Sequence, residues 1–134
     1  MRKRSKMVLL VEDDIDDREL FVQAMAKKHP ELLCCTVKNG LEALLFLKTN
    51  DYLPDYVFLD LNMPVMDGKS CLRRIKQEPQ WSHIPVFIYS TSELPEDKIE
   101  TELLGARSFI KKPLRFTQIC KEISALINGL LAEN

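Results

Sequence analysis

The sequence predicts an α/β fold, a doubly wound sheet of five parallel strands flanked by five helices, with one domain at 7–132 behind a basic tail at 1–6. Apolar runs of strand length alternate five times with segments of helical period, and such repetition implies parallel strands joined by right-handed crossovers, with helices on both faces. The first run, Met7 to Val11, is apolar throughout, as a strand buried on both faces requires.

The elements follow in order. After the first strand, Asp14, Asp16 and Asp17 suit the N-cap and first turn of a helix running to about Lys28. That helix turns Leu20, Phe21, Ala24 and Met25 inward, and His29-Pro30 stops it. Leu32 to Val37 reads as the second strand, and Asn39-Gly40 leads into an Ala- and Leu-rich helix ending near Lys48. Asp55 to Asp60 is a third strand that finishes on a carboxylate, and the Pro and Asp-Gly content of Leu61 to Gly68 marks a loop. A third helix covers about Lys69 to Gln77. Pro85 to Tyr89 forms the fourth strand, and a helix from Glu96 to Leu104 stops at Gly105. Ser108 to Lys111 is a short fifth strand. The last helix, Arg115 to Leu131, turns Phe116, Ile119, Ile123, Leu126, Ile127 and Leu130 inward at spacings of three and four.

Nineteen Lys and Arg stand against twenty Asp and Glu, a net charge of −1 that gives no basis for non-specific nucleic-acid binding. The longest apolar runs are about five residues, short of the roughly 20 that span a bilayer. No apolar stretch follows the basic Met1 to Lys6, which reads as a solvated tail and not a secretory signal. Cys34, Cys35, Cys71 and Cys120 show no ligand spacing, and the adjacent pair would point to opposite faces of a strand. They read as reduced packing residues of a cytoplasmic protein. His29 and His83, near prolines in loops, are expected to be solvated.

Parallel sheets of this kind bind ligands at the carboxyl ends of their strands. There stand Glu12-Asp13-Asp14, then Asp60 with Asn62 beyond it, then Ser90-Thr91-Ser92, and finally Lys111-Lys112-Pro113. Clustered acids repel one another until a divalent cation relieves them, and Mg²⁺ prefers such oxygen ligands. A carboxylate can attack phosphorus, and the charge developing on the transferred group calls for a cation, an ammonium and a hydroxyl. Plainer roles compete at each position. Asp14, Asp16 and Asp17 read most simply as a cap and partners of the helix dipole, and 90–92 also suits a Ser/Thr turn in which Thr91 rivals Ser90. Asp60 closing an apolar strand is a costly place for an idle charge. Strand alternation separates Lys111 from Lys112, and Lys112 beside Pro113 is favoured. Asp60-x-Asn62 begins like a calcium loop, but Pro64 stands where the third ligand belongs, and no glycine-rich phosphate loop occurs.

Taken in order, Val8 to Asp14, Phe58 to Pro64, Met66-Asp67-Gly68, Pro85 to Ser92 and Gly105-Ala106 through Lys111-Lys112-Pro113 resemble the receiver domains of CheY-like single-domain response regulators of two-component systems. The resemblance covers about residues 7–130. It implies a flavodoxin-like sheet of order 2-1-3-4-5 with Asp60 as phosphoacceptor. It implies Mg²⁺ held by Asp13, by Glu12 through water, by Asp60 and by the Asn62 backbone carbonyl. Ser90 would bond the phosphoryl oxygen and Lys112 would pair with the phosphoryl group. Phe109 stands at the switch aromatic, frequently Tyr, so it brings no hydroxyl; plain core is its other reading. Asn62 and Ser92 would tune the acyl-phosphate lifetime.

Such a protein takes its phosphoryl group from a sensor histidine kinase or phosphotransfer protein and catalyses only its own phosphorylation and dephosphorylation. It signals to a downstream protein partner through the face of the fourth helix, fifth strand and fifth helix, and homodimer formation is a further option. Glu12-Asp13 with Tyr89-Ser90-Thr91-Ser92 is similar to small regulators of phytochrome-type kinases. One alternative is a pseudo-receiver interaction module, against which the full set of acids, Ser90 and Lys112 stands. Another is a haloacid-dehalogenase-type phosphatase, but there the nucleophile closes the first strand and the acid pair comes last, the reverse of this order.

Overall fold

Strands too continuously apolar to face water on either side need helices over both faces. The computed structural model, which describes residues 5–133, has that architecture. In chain order it runs β1 (Met7–Val11), α1 (Ile15–Lys28), β2 (Leu33–Val37), α2 (Gly40–Thr49), β3 (Tyr56–Leu59), α3 (Gly68–Gln77), β4 (Val86–Ser90), α4 (Pro95–Leu103), β5 (Ser108–Lys111) and α5 (Phe116–Ala132). All strand pairings are parallel and the order is β2-β1-β3-β4-β5, as the resemblance implies. β1, β3 and β4 are buried along their whole length, while β2 and β5 form half-exposed edges.

Strand alternation divides the core in two. Val8, Leu10, Phe58, Phe87 and Tyr89 pack with Phe21 of α1 and with α5, whereas Leu9, Val11, Val57, Leu59 and Ile88 pack with α2 and α3. Phe21, Phe58 and Phe87 are fully buried, with centroids 5.1 Å apart for the first pair and 5.3 Å for the second. Each such ring contributes roughly 1.5–3 kcal/mol of burial. Cys34 packs toward the first layer and Cys35 toward the second, the opposed placement expected of neighbours on a strand. Side-chain caps by Asp14, Asn39 and Asp67 start α1, α2 and α3.

The sheet fixes more backbone than its strands. Glu12 N–H donates to Val37 O, Asp60 N–H to Val11 O and Lys112 N–H to Ser90 O, at 3.0, 3.0 and 2.8 Å. Each is the first residue beyond β1, β3 or β5, so the ladder holds it in place. β4 extends to Ser90 for the same reason, pairing Ser90 with Lys111, one residue past the expected end.

Two expectations need amending. His29 is buried and not solvated. As the C-cap of α1 its N–H donates to Met25 O and its carbonyl accepts from Leu32 N–H, closing a turn that brings the ring inward to 3.3 Å from Glu31 Oε1. His83 is exposed. Of the basic segment, residues 1–4 lie outside the described residues, and Lys6 continues the β1–β2 ladder, its carbonyl accepting from Leu33 N–H and its ammonium 5.9 Å from the Tyr56 ring centroid. No helix among the described residues is long and apolar enough to cross a membrane.

Candidate functional site

The ladder bonds at Glu12, Asp60 and Lys112 deliver two carboxylates and an ammonium to one edge of the sheet. Glu12, Asp13 and Asp60 each offer an oxygen, and these oxygens lie within 4.8 Å of one another. Glu12 is only 1% exposed and Asp60 5%, while Asp13 faces solvent. Lys112 Nζ stands 2.6 Å from Glu12 Oε1, 2.9 Å from Asp17 Oδ2 and 3.6 Å from Asp60 Oδ2. Its charge also lies 5.8 Å from the Tyr89 ring centroid. Asp60 Oδ1 accepts from Leu61 N–H at 2.9 Å and Glu12 Oε2 from Asp14 N–H at 3.2 Å, so both carboxylates are oriented by backbone.

Burial decides the charge state of the cluster. It lifts Glu12 to about 7; the Lys112 contact pulls the other way, and repulsion from Asp60 adds to the rise. Burial likewise raises Asp60, with Lys112 as the main opposing influence. Burial would lower Lys112, yet its contacts with Asp17, Glu12 and Asp60 outweigh that and raise it, so it stays an ammonium. Three acids therefore share one lysine, and Glu12 Oε1 meets that lysine without an aligned hydrogen bond. All-oxygen donors, two of them deeply buried and mutually repelling, suit a hard divalent cation. Exposed Asn62 makes no main-chain hydrogen bond among the described residues, which leaves its carbonyl available.

The loop after β3 is shaped to let this happen. A Cβ on Gly68 would stand 2.2 Å from Asp60 O and 2.7 Å from Leu61 Cα, so only glycine admits this approach. Ser90 is fully buried, its Oγ accepts from Ser92 N–H at 3.1 Å, and its own O–H has no acceptor among the described residues. Ser92 Oγ bonds Asp97 of α4, which also takes Lys69 of α3 at 2.6 Å. Phe109 is half-buried on β5 opposite Ile88, and lines with Lys98 and Thr101 a cleft of about 340 Å³ against α4. Lys111 points away and pairs with Glu93. A surface cavity of about 780 Å³ between α2 and α3 is lined by none of Glu12, Asp13, Asp17 or Asp60.

The fold thus gathers Glu12, Asp13, Asp60 and Lys112, places Ser90 at the end of β4 and Asn62 on the loop after β3, and sets Phe109 apart on the β5 surface. Sequence reasoning missed Asp17, taken for a helix-dipole partner. Its signal was its position, the third residue after the Asp14 cap and hence one turn into α1, facing the sheet edge.

An acid cluster with a neighbouring lysine at the carboxyl edge of a 2-1-3-4-5 sheet defines a phosphoaccepting signalling domain. The chain belongs to the response regulator receiver domain family, whose model matches residues 8–124. Single-domain members of the family are generally non-enzymatic, and receiver domains work with histidine kinases or phosphotransfer proteins and downstream partners. The chain is similar to the response regulator Rcp1 of Synechocystis sp., at 29% identity over 126 residues, covering 90% of this chain and 86% of Rcp1. Among solved structures it is similar to the phosphorylated cyanobacterial phytochrome response regulator RcpA (TM-score 0.90, 30% identity, 98% of this chain and 97% of that one). It is also similar to Mn²⁺-bound Rcp1 (TM-score 0.82, 29% identity, 90% and 91%).

Proposed function

We propose that Asp60 accepts the phosphoryl group, that Mg²⁺ is the resident cation, and that the donor is the phosphohistidine of a sensor kinase or phosphotransfer protein. The observation that carries this is the meeting of Asp60 with Lys112 and the Glu12–Asp13 pair at the edge of the sheet. One Asp60 oxygen attacks phosphorus. The bond to the imidazole nitrogen breaks, and its electron pair stays on that nitrogen. The Leu61 N–H holds the carboxylate in orientation, Lys112 neutralises charge on the transferred oxygens, and the unspent Ser90 O–H donates to one of them. A cation held by Asp13, Asp60, the Asn62 carbonyl and, through water, Glu12 supplies further neutralisation; Rcp1 has been solved with Mn²⁺ bound. Water attack on the acyl phosphate then returns phosphate and the free carboxylate, with Asn62 and Ser92 tuning the rate.

Drawing Ser90 toward the phosphoryl group disturbs its bond with Ser92 and hence the Ser92–Asp97 link to α4. Phe109 beside α4 shifts with it, and the α4–β5–α5 face is remodelled for a downstream protein partner. The chain acts as one receiver unit over 7–132, in the cytoplasm, turning over only its own phosphate. Similarity to the phytochrome response regulator RcpA supports a phytochrome-type kinase as donor.

Intact mass after incubation with Mg²⁺ and acetyl phosphate tests the reading, wild type beside Asp60→Asn. The expected result is one phosphoryl group on the wild type alone, and none where Mg²⁺ is chelated before the donor is added. Equal labelling of Asp60→Asn would remove Asp60 from its role. No adduct under any condition would leave a pseudo-receiver module.

A further inference from the structure

The three carboxylates around Lys112 are not equivalent. Glu12 and Asp60 belong to the cluster of mutually close acids; Asp17, 95 positions away on the first turn of α1, does not. A divalent cation held by that cluster would compete with the Lys112 ammonium for Glu12 and Asp60 and would repel it. Asp17 is then the carboxylate left to Lys112.

Local structure explains why Asp17 is available. It is the third helical residue after the Asp14 cap, and its N–H donates to Asp14 Oδ1 at 2.9 Å. A Glu or Gln at that position can reach back to the N–H of the cap residue. Here Glu12 Oε2 already accepts from Asp14 N–H, at 3.2 Å, so the Asp17 carboxylate crosses to Lys112 at 2.9 Å. Its side chain is 37% exposed against 1% for Glu12, so keeping its charge costs far less. The N-terminus of α1 favours that charge further.

We propose that Asp17 is a positioning residue for phosphoryl acceptance: it holds the Lys112 ammonium beside Asp60 when a divalent cation occupies the acid cluster. This rests on the roles given above to Asp60 and Lys112. Asp17 touches neither phosphorus nor metal, and acts only through the lysine. Without it Lys112, on a flexible four-carbon stem, has no carboxylate to oppose its repulsion by the cation.

Two measurements on the full chain saturated with Mg²⁺ test this. One follows the Lys112 ammonium by ¹H–¹⁵N correlation, and the other follows phosphoryl loading from acetyl phosphate by intact mass. Asp17→Asn is expected to abolish the slowly exchanging Lys112 signal and to slow loading about tenfold, the scale of removing one charge-assisted hydrogen bond beside the reacting group. Asp17→Glu should recover most of both. Asp16→Asn removes the same charge from an exposed neighbour, and should keep the signal and change the rate by less than about twofold. In a Lys112→Ala background, Asp17→Asn should add nothing. The proposal is overturned if the Lys112 signal persists in metal-bound Asp17→Asn, if Asp16→Asn slows loading equally, or if the slowing survives in Lys112→Ala. A wild type that takes up no phosphoryl group would sink the functional reading alone, because the ammonium signal still reports on Asp17.

Discussion

Replacing Asp60, the proposed acceptor, should make the metal-free protein more stable. Asp60 lies within 4.8 Å of both Glu12 and Asp13 and 3.6 Å from Lys112. At an effective dielectric of about 20, each neighbouring carboxylate repels it by about 3.5 kcal/mol, while the lysine attracts it by about 4.6 kcal/mol. Repulsion from the pair exceeds the attraction, and burial of the charge adds to the penalty. Solvent at exposed Asp13 and ordinary salt reduce the net gain from Asp60→Asn to about 1–2 kcal/mol, or about 4–8 °C in Tm for a chain of this size. Asparagine keeps an acceptor for Leu61 N–H, and Lys112 keeps Glu12 and Asp17.

The pH dependence fixes the cause. Glu12 is raised in the folded state from 4.5 to about 7, so its contribution to stability is complete below pH 4.5 and is lost as pH rises through about 7. Asp60 is one reason for that rise. The advantage of Asp60→Asn should therefore be small at pH 5, where Glu12 carries a proton, and full at pH 8. Urea unfolding of both proteins at the two pH values, with chelator present, measures it. A variant less stable than wild type at pH 8, or an equal advantage at pH 5 and pH 8, would refute the account of repelling acids. Saturating Mg²⁺ should narrow the gap, because the wild type gains more from binding.

Three further outcomes follow from the same geometry. Gly68→Ala puts a methyl 2.2 Å from Asp60 O and should cost about 2 kcal/mol or more and slow phosphoryl loading, read by thermal unfolding and intact mass; an unchanged Tm would mean the loop gives way freely. Lys112→Ala should still permit some phosphorylation but abolish the conformational response, so its two-dimensional amide spectrum with and without phosphodonor should match; normal shifts at α4 and β5 would remove Lys112 as coupler. Divalent affinity should fall as pH drops below about 7, since Glu12 must lose its proton, and calorimetry in buffers of different ionisation enthalpy should show proton release near pH 6.5 and little at pH 8.5.

The fold was readable because β1 and β3 are apolar at every position and β4 at all but its closing Ser90, and strands of this kind call for helices over both faces. Element ends moved by a residue or so where ladder hydrogen bonds, absent from any hydropathy pattern, continued, as at Ser90. The acids and Lys112 could be placed together because each closes a strand and parallel strands share an edge. Asp17 could not, since an acid in the first turn of a helix already has a sufficient reason to be there, and its crossing to Lys112 depends on Glu12 pre-empting the cap N–H. His29 was misplaced for a related reason: Pro30 signals the end of α1 but says nothing of which way the next turn folds.

The site and its instability have one origin. The ladder bonds that carry Glu12, Asp60 and Lys112 just beyond their strands fix the backbone, so the carboxylates cannot relax apart. Charges confined in this way leave two routes to relief, a proton on Glu12 or a cation among the oxygens, and both are reversible near neutral pH. Lys112 offers only partial relief because Asp17 claims a share of it. On the proposed reading, a phosphoryl group on Asp60 would bring new negative charge to the same confined place, and the responders would be Lys112 on its long stem and Ser90 at the end of β4, where the chain leads to α4. Since Lys112 N–H is bonded to Ser90 O at 2.8 Å, movement at either residue is felt by the other's backbone. In the proposed switch, rigid acids with a linked, movable lysine and serine would turn a charge change at one atom into a displacement of α4.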